Sequence, residues 1–443
     1  MEPLRRHKKY KNRLPEETIA LIQQILRDKL QIGVYERAFQ ERNGLFFSCR
    51  LLLDDGKDMR SLNIGTNGKG MTESYSRASA YGELMERIQN GIILRLPQNE
   101  VVSPYYMYSC DEQNSNDDNL LRDSIDKYVF SCDNAQLYEL VKGHTHQYIP
   151  YYDVSGKQVV NLPMDIIYNS ISTNGLCAGN TPKEAIIEGL SEILERYVIR
   201  RIYMDGLTLP NIPRVFFEGN EILKRIEELE QREQYKINIV DCSCGDGIPA
   251  VGIIVKTEDE SEYQFHMGVD PSPITALERS LTELFQGRNA IKFKQYEPEV
   301  QSRIGADTLL TETEMEKTYC ASTGSFPQTL FAETPSWEFC GFDSRWGLSD
   351  DSDLTLMTEL IRKLGFKLYV RDNSVLGFPA YSLYLPGMTE LYNTLSLEHF
   401  RNTYQKTYVP TESAYTELVK RFQLQSRTKT IAQSELCHIF HQE

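Results

Sequence analysis

Apolar residues recur at helical spacing over several long stretches and alternate with polar ones over shorter stretches, and these two periods divide the chain into elements. Over 16–30, Ile19, Ile22, Ile25 and Leu26 fall on one side and predict an amphipathic helix. Residues 45–53 and 61–64 predict strands, and 65–70 reads as a polar loop after them. A helix over 73–90 is predicted next, with Ala80, Leu84 and Ile88 on its inner side. Residues 111–119, rich in Asp, Asn and Ser, read as an exposed or disordered loop. A hairpin is predicted from 148–153 and 159–162. The small-residue turn 172–181 opens a second long helix, with Thr181 at the N-cap, Pro182 at the first helical position and Glu184 at the third. Residues 221–231 predict a surface helix, and 237–241, 250–256 and 263–269 predict strands. Asp270-Pro271-Ser272-Pro273 opens a third helix; 354–364 and 367–371 read as helix then strand. Beyond Tyr392 the chain turns polar and helical.

Three of these helices carry a polar triplet at i, i+4 and i+7: Ser79, Glu83 and Glu86; Glu188, Glu192 and Glu195; Arg279, Glu283 and Gln286. A helix turns about 100° per residue, so each triplet falls within roughly 60°. Glu184 extends the second stripe by one turn, and it equally fits the capping-box partner of Thr181. Like charges at i,i+4 repel by about 0.2–0.5 kcal/mol per pair. A single acidic face is ordinarily solvated. Three of them, each beside a Gly- or Pro-marked turn and followed by Arg87, Arg196 or Arg288, point to a positive species held between helices. The copies are irregularly spaced, so they form a weak internal repeat and not a solenoid.

Composition narrows the function. A chain of 443 residues with 40% hydrophobic and 25% charged positions is that of a globular protein with one large or two smaller domains. A formal charge of −15 argues against nucleic acid, whose phosphates need Lys and Arg. The basic run Arg5, Arg6, His7, Lys8, Lys9 reads as a solvated tail. No apolar run reaches the roughly 18–20 residues that span a bilayer, and no apolar segment follows the basic start as in a secretory signal. Nine scattered cysteines favour reduced thiols and a cytoplasmic location. Cys242-x-Cys244 has no second pair at zinc-finger spacing, and His144-x-His146 and Cys437-His438-x-x-His441 read as surface residues.

Carboxylates cannot face phosphates directly, but Mg2+ takes oxygens of both in octahedral geometry. Facing glutamates would hold Mg2+, the metal would hold a triphosphate, and Arg87, Arg196 and Arg279 would stabilise phosphoryl charge. There is no Walker A motif, because Lys69 is followed by Gly70 and not Ser or Thr. The glycines of 65–70 fit either a backbone approach to phosphates or an ordinary strand-to-helix turn.

Several segments in order resemble the YcaO family over most of the chain: Thr66-Asn67-Gly68-Lys69-Gly70, the run from Ser79 to Arg87, Asn174 to Thr181, Gly189 to Tyr197, and Ala276 to Arg288. The wording of Leu194-Glu195-Arg196-Tyr197-Val198 and of Pro386-Gly387-Met388-Thr389-Glu390-Leu391-Tyr392 is similar to the stand-alone members. The resemblance implies an α/β (mixed α+β) fold of the YcaO ATP-binding type without a phosphate loop. It implies an N-terminal helix and strand over 1–60, a catalytic domain over 61–392 and a helical tail over 393–443. ATP and Mg2+ are the implied cofactors. Glu83, Glu86, Glu184, Glu192, Glu195 and Glu283 resemble the Mg2+–phosphate acids. Ser79, Asn180, Glu188 and Gln286 resemble nucleotide-site polar groups, as do Lys11, Thr18 and Lys69; Arg196 and Arg279 resemble the catalytic arginines. Glu188 stands where relatives often carry Gln, and Cys177 where many carry Ser or Ala.

The implied reaction is ATP-dependent activation of a peptide or protein backbone amide. A nucleophile adds to the carbonyl, the oxyanion takes the γ-phosphoryl group, and phosphate leaves, giving an azoline, thioamide or amidine as in ribosomal peptide modification. The alternative is an ATP-binding accessory protein that assists another enzyme, such as a ribosomal-protein methylthiotransferase. A proline-rich C-terminus and a fused leader-binding domain are absent from the sequence, which favours a separate leader-binding or sulfur-delivery partner. A homodimer, no nucleic acid and no membrane complete the expectation.

Overall fold

A computed structural model describes residues 11–41, 43–57, 59–92, 113–131, 133–286, 290–296, 325–391, 413–428 and 431–441. The basic run 5–9, residues 111–112, Arg288, and 392–412 of the expected tail lie outside the described residues.

The N-terminal elements form where the period places them. Helix α1 (Pro15–Ile25) starts at a proline, with the Glu17 carboxylate accepting the Leu14 N–H at 3.0 Å, and a wide turn, Leu26–Leu30, continues it. Strands β1 (Gly33–Gln40) and β2 (Phe47–Asp54) form an antiparallel pair. Residues 61–64 are not a strand: Met59–Leu62 is a 3₁₀ turn whose Met59 is buried. The expected loop is strand β3 (Gly65–Gly70), paired antiparallel with β2 and followed by α2 (Glu73–Gln89). Its glycines answer to packing. A Cβ on Gly68 would meet the Ala80 Cβ at 2.8 Å, so α2 crosses β3 where no side chain fits.

The middle of the chain holds β4 (Gln113–Ser115), α3 (Asp118–Tyr128), α4 (Asn134–Val141), β5 (His146–Asp153), β6 (Gln158–Pro163), α5 (Met164–Ile171), β7 (Leu176–Ala178) and α6 (Pro182–Met204). The polar stretch read as a loop therefore contains β4 and the start of α3, whose N-cap Asp117 accepts from the Asn119 N–H at 2.8 Å. Next come α7 (Glu221–Glu233), β8 (Lys236–Asp241), β9 (Ala250–Lys256), β10 (Glu262–Val269), α8 (Pro273–Glu283) and β11 (Lys294–Gln295). Then follow α9 (Asp350–Lys363), β12 (Tyr369–Asp372), β13 (Ala380–Tyr384) and α10 (Ser413–Thr428), and last a 3₁₀ turn, Gln433–Leu436, that runs into the helical turn Cys437–Phe440.

Among the described residues the strands make three antiparallel sheets, in the orders β1-β2-β3, β4-β5-β12-β13-β7 with β6 on β5, and β11-β10-β9-β8. Each sheet sends one strand into one striped helix: β3 into α2, β7 into α6 and β10 into α8. The fold is thus mixed α/β. One core joins α1, β2 and α2 through Ile22, Leu26, Leu51, Leu53, Leu84 and Ile88, and Leu418, Val419 and Phe422 of α10 pack into it. A second surrounds the inner face of α6, where Leu190, Leu194 and Val198 meet Met267 of β10, Met357 of α9 and Leu383 of β13. A third lies under α7 and α8.

The crossing at Gly68 generates a prediction. Gly68→Ala overpacks it and lowers stability by about 1–3 kcal/mol. Gly82→Ala, in the same helix but with open space around a Cβ, is neutral or stabilising by up to about 1 kcal/mol. Urea midpoints of the two variants read this directly; equal midpoints contradict the packing account.

Candidate functional site

Each striped helix begins at a hydroxyl cap. Thr72 Oγ1 accepts the Tyr75 N–H at 3.2 Å, Thr181 Oγ1 the Glu184 N–H at 3.2 Å, and Ser272 Oγ the Thr275 N–H at 3.4 Å. The polar triplet stands seven, eleven and fourteen positions after the cap in all three helices. The helices therefore present equivalent rungs: Ser79, Glu188 and Arg279; then Glu83, Glu192 and Glu283; then Glu86, Glu195 and Gln286. One rung departs from the expected geometry. Helix α8 ends at Glu283, and Gln286 sits in a tightened turn whose N–H reaches the Glu283 carbonyl at 3.3 Å.

The stripes face each other. Arg279 of α8 pairs with Glu188 of α6, and its other terminal nitrogen lies 3.7 Å from Glu195. Lys69 points from β3 to α8, on the opposite side of the strand from Gly68, and pairs with Glu283. Lys11 donates to Glu188 at 2.9 Å. On α2, Arg87 lies 3.4 Å from both Glu83 and Glu86. Charge couples the remaining members: Glu86 of α2 feels Glu192 and Glu188 of α6, and Glu192 feels Arg196, Arg87, Glu195 and Arg279.

This crowding shifts the ionisations. Burial, then Glu192, Glu83 and Glu188, raise the Glu86 carboxyl well above the ordinary range against the pull of Arg87. Burial also raises Glu192, opposed by Arg196 and Arg87. Glu188 moves the other way: burial opposes it, but Arg279 and Lys11 hold it far below a normal carboxylate. Burial, with Arg279 and Arg196, pulls Lys69 down to about 8 against Glu195 and Glu188. The Glu283 carboxylate in direct contact acts to keep Lys69 charged, so it is an ammonium at neutral pH.

A polar seam joins the N-terminal segment to the start of α6. Glu184 is fully engaged: one oxygen accepts from the Asn12 backbone at 3.1 Å and side chain at 2.9 Å, the other from the Asn180 backbone at 3.3 Å and side chain at 3.1 Å. It reaches back to the residue before the cap, not to Thr181 itself. Thr18 Oγ1 donates to Asn180 Oδ1 at 2.9 Å. Ser79 is exposed on α2, one turn before Glu83.

Among the described residues no three His, Cys, Asp or Glu side chains yet converge as a ligand cluster. The donors nevertheless fit a metal–phosphate group. Glu86 Oε1 is buried without a hydrogen-bond donor, and Arg87 Nη1 and Arg279 Nε are buried without an acceptor. A cation would satisfy the first and an anion the other two.

Two residues escaped the sequence reading. Asn12 has no periodicity to mark it, although it adjoins Lys11; its side chain also donates to Asp350 of α9 at 2.9 Å. Asp270 ends β10 beside the charged cluster, and the Asp-Pro-Ser-Pro wording was taken only as a helix start. Burial raises its carboxyl to about 6, opposed by Arg279 and the Ser272 N–H and assisted by Glu188.

Comparison with known proteins gives this geometry a family. The family model described as YcaO cyclodehydratase, ATP- and Mg2+-binding, matches residues 67–389. A ribosomal protein S12 methylthiotransferase accessory factor of Escherichia coli is 30% identical over 344 residues, 74% of this chain and 58% of that protein. An uncharacterised protein of Haemophilus influenzae is 31% identical over 353 residues, 76% of this chain and 59% of that one. The chain thus spans less than two thirds of these curated relatives. Two solved structures share the fold: a heterocyclase in complex with substrate and cofactor (TM-score 0.57, 17% identity, 88% of this chain and 55% of that one) and a YcaO protein of Methanopyrus kandleri bound with AMPPCP and Mg2+ (TM-score 0.51, 18% identity, 91% and 96%). The chain belongs to the YcaO family, and ATP and Mg2+ are the cofactors that this membership gives it. Among the described residues no helix is long and apolar enough to cross a membrane.

The raised Asp270 makes the nucleotide-free protein pH-sensitive. The folded state keeps this proton up to about 6 and the unfolded chain only to 3.8, so stability falls as pH rises between those values. Asp270→Asn removes up to about 3 kcal/mol of that fall. Urea midpoints at pH 4.5 and 7 for both proteins measure it; parallel curves would show that Asp270 does not titrate there.

Proposed function

We propose that this protein activates the carbonyl oxygen of a peptide or protein backbone amide for displacement, using ATP at the site between α2, α6 and α8. The observation that carries the reading is the convergence of three charged stripes that share one register over their first two rungs, with buried carboxylate and guanidinium atoms that lack a hydrogen-bond partner. Within that site the acids divide by how fully they are already used. Glu184 has both oxygens filled by amide donors, Glu188 is neutralised by Lys11 and Arg279, and Glu283 by Lys69. That leaves Glu83 and Glu86, which share the single cation Arg87 at 3.4 Å, Glu195, 3.7 Å from an Arg279 already given to Glu188, and Glu192, the lower two rungs of α2 and α6, as the acids that would hold Mg2+. Lys11, Lys69, Arg196 and Arg279 would bind and orient the phosphates, and Thr18, Ser79, Asn180 and Gln286 would hold the rest of the nucleotide. ATP supplies the phosphoryl group that turns the amide oxygen into a leaving group, and Mg2+ lowers the charge that must be met. The arginines share the charge that develops on the transferred group. No enzyme nucleophile is required, because the attacking atom comes from the substrate or an external sulfide or amine. The substrate reaches the site with a separate leader-binding or sulfur-delivery partner.

A second reading, an ATP-binding accessory role to another modifying enzyme, is favoured by the printed role of the Escherichia coli relative. Mass spectrometry of a co-expressed candidate peptide separates the two: a loss of about 18 Da marks cyclodehydration, a gain of about 16 Da marks oxygen replaced by sulfur, and an unchanged mass supports the accessory role.

Titration calorimetry tests the site itself. Glu192→Gln and Glu86→Gln each weaken Mg2+·ATP binding at least about tenfold, more than about 1.4 kcal/mol. Glu86→Gln also stabilises the nucleotide-free protein at pH 8 by on the order of 1–2 kcal/mol, since it removes a carboxylate whose burial and three neighbouring carboxylates outweigh the pull of Arg87. Unaltered binding in both variants refutes the metal assignment.

A further inference from the structure

Glu390 takes no part in the site above. It lies in the turn after β13, 4% exposed, and its neighbours pose a problem of proton counting. The Tyr384 hydroxyl is 2.9 Å from the Tyr128 carbonyl oxygen and 3.0 Å from Glu390 Oε1. A phenol has one hydrogen to donate, and a carbonyl can only accept. If Glu390 were ionised, two buried acceptors would compete for the one phenol hydrogen, and among the described residues one would lose it, a loss of the kind that buried polar groups rarely tolerate. A proton on Glu390 Oε1 resolves the conflict. The carboxyl donates to the Tyr384 oxygen, Tyr384 donates to Tyr128, and Glu390 Oε2 accepts the Gly387 N–H at 2.8 Å.

The surroundings agree. From β12 the Tyr369 ring stacks on Tyr384, with centroids 6.3 Å apart, and Tyr128 at the end of α3 meets Tyr369 edge-on at 5.9 Å. Asp153 of β5 acts on Tyr369. The cation facing the turn is Arg200 of α6, and its N–H groups donate to the carbonyls of Gly387 at 2.6 Å and Glu390 at 3.2 Å, not to the carboxyl. Burial raises Tyr384 well above its usual range, so it stays the phenol throughout.

We propose that Glu390 is a neutral carboxylic acid that acts as a proton-dependent latch, closing the turn 385–391 onto α3 while the same turn grips α6 through Arg200. A carboxylic acid kept neutral by an apolar site so that it can donate is a known device. Burial pushes Glu390 up to about 7, opposed by its backbone, Tyr384, Arg200 and Gly387. The turn has further ties: Leu385 N–H to Thr389 Oγ1 at 2.8 Å, Asn174 Nδ2 to the Thr389 carbonyl at 2.7 Å, and Leu391 N–H to the Ser170 carbonyl at 2.9 Å. Loss of the proton therefore loosens the joint between α3, the link from α5 to β7, and α6. The latch does not depend on the proposed reaction, and its test uses neither ATP nor a peptide.

Glu390→Gln imitates the protonated acid, since its amide donates to Tyr384 and its carbonyl accepts from Gly387. The folded state retains the proton to about 7 and the unfolded chain to about 4.5, so stability declines as pH rises through that interval and then levels. Between pH 5 and 8 the folding equilibrium constant of the full chain is expected to drop roughly 50- to 100-fold further than that of Glu390→Gln. Parallel pH curves overturn the latch, as does a Glu390→Gln protein that fails to fold or is the less stable of the two at pH 8. An infrared difference spectrum at pH 6 gives a check without unfolding. Asp270 and Glu86 contribute carboxylic-acid bands to both proteins, so the reading is the natural-minus-variant difference: a positive carboxylic-acid carbonyl band in it is expected, and a difference without one overturns the proposal.

Discussion

A close crossing between a strand and the helix that follows it recurs three times, and the charged site depends on it. Four positions before each cap the strand carries Gly68, Cys177 or Gly268; eight positions after it the helix carries Ala80, Gly189 or Ser280. A Cβ on Gly189 would lie 2.8 Å from Cys177 Sγ, and one on Gly268 would lie 2.8 Å from the Arg279 Cβ. One partner of each crossing must be small, and that requirement fixes where the helix lies on its strand. The hydroxyl cap fixes where the helix begins. Together they set the rotation of the helix, and the stripe seven to fourteen positions on follows from it. Register here is a packing result before it is an electrostatic one.

That packing holds like charges together at a cost which the chain's own cations offset. Lys11, Lys69, Arg87 and Arg279 each reach a carboxylate of the cluster. They do not reach all of it equally. Glu86 and Glu195 are the more deeply buried acids, with side chains 13% and 12% exposed against 31% for Glu188, so a compensating charge is worth more beside them. Surface pairs of this kind contribute little, whereas a buried carboxylate without a donor is expensive. The lower rungs of α2 and α6 are therefore where an additional cation gains most. The upper rungs, tied up by Lys11, Arg279 and the Asn12–Glu184–Asn180 seam, serve better as walls.

The helices that carry the site were legible in the sequence because each has a hydroxyl cap, an apolar face and a polar stripe at one period. Elements lacking such contrast were not. Helix α5 is buried on nearly every side and β13 on all, so neither shows an alternation to read. Strand β3 was taken for a loop because Gly-Thr-Asn-Gly-Lys-Gly has no apolar alternation; Gly68 and Gly70 are set by the helix lying across it and Gly65 by the backbone of β2. Gln286 kept the period after the helix had ended. Asn12 and Asp270 act singly, through contacts with residues distant in the chain, and a single residue has no period. The sequence analysis placed Glu184 among the metal acids by its rung and by the family resemblance, with a capping role as the alternative, and only three-dimensional contacts reveal four amide donors around it.

Helix α6 explains why so much charge can be held without loosening the fold. Its inner face packs against β7, β10, β13 and α9, so the backbone bearing Glu188, Glu192 and Glu195 is anchored on several elements at once. At its far end Arg200 binds the turn after β13 through two carbonyls. A charged group on a loop relieves repulsion by moving away. On a helix anchored along its length it cannot, so the repulsion persists until a ligand of opposite sign removes it. The same rigidity that makes the empty site unfavourable is what directs binding energy to the metal–nucleotide charge, and it places that energy on the helix with the firmest support.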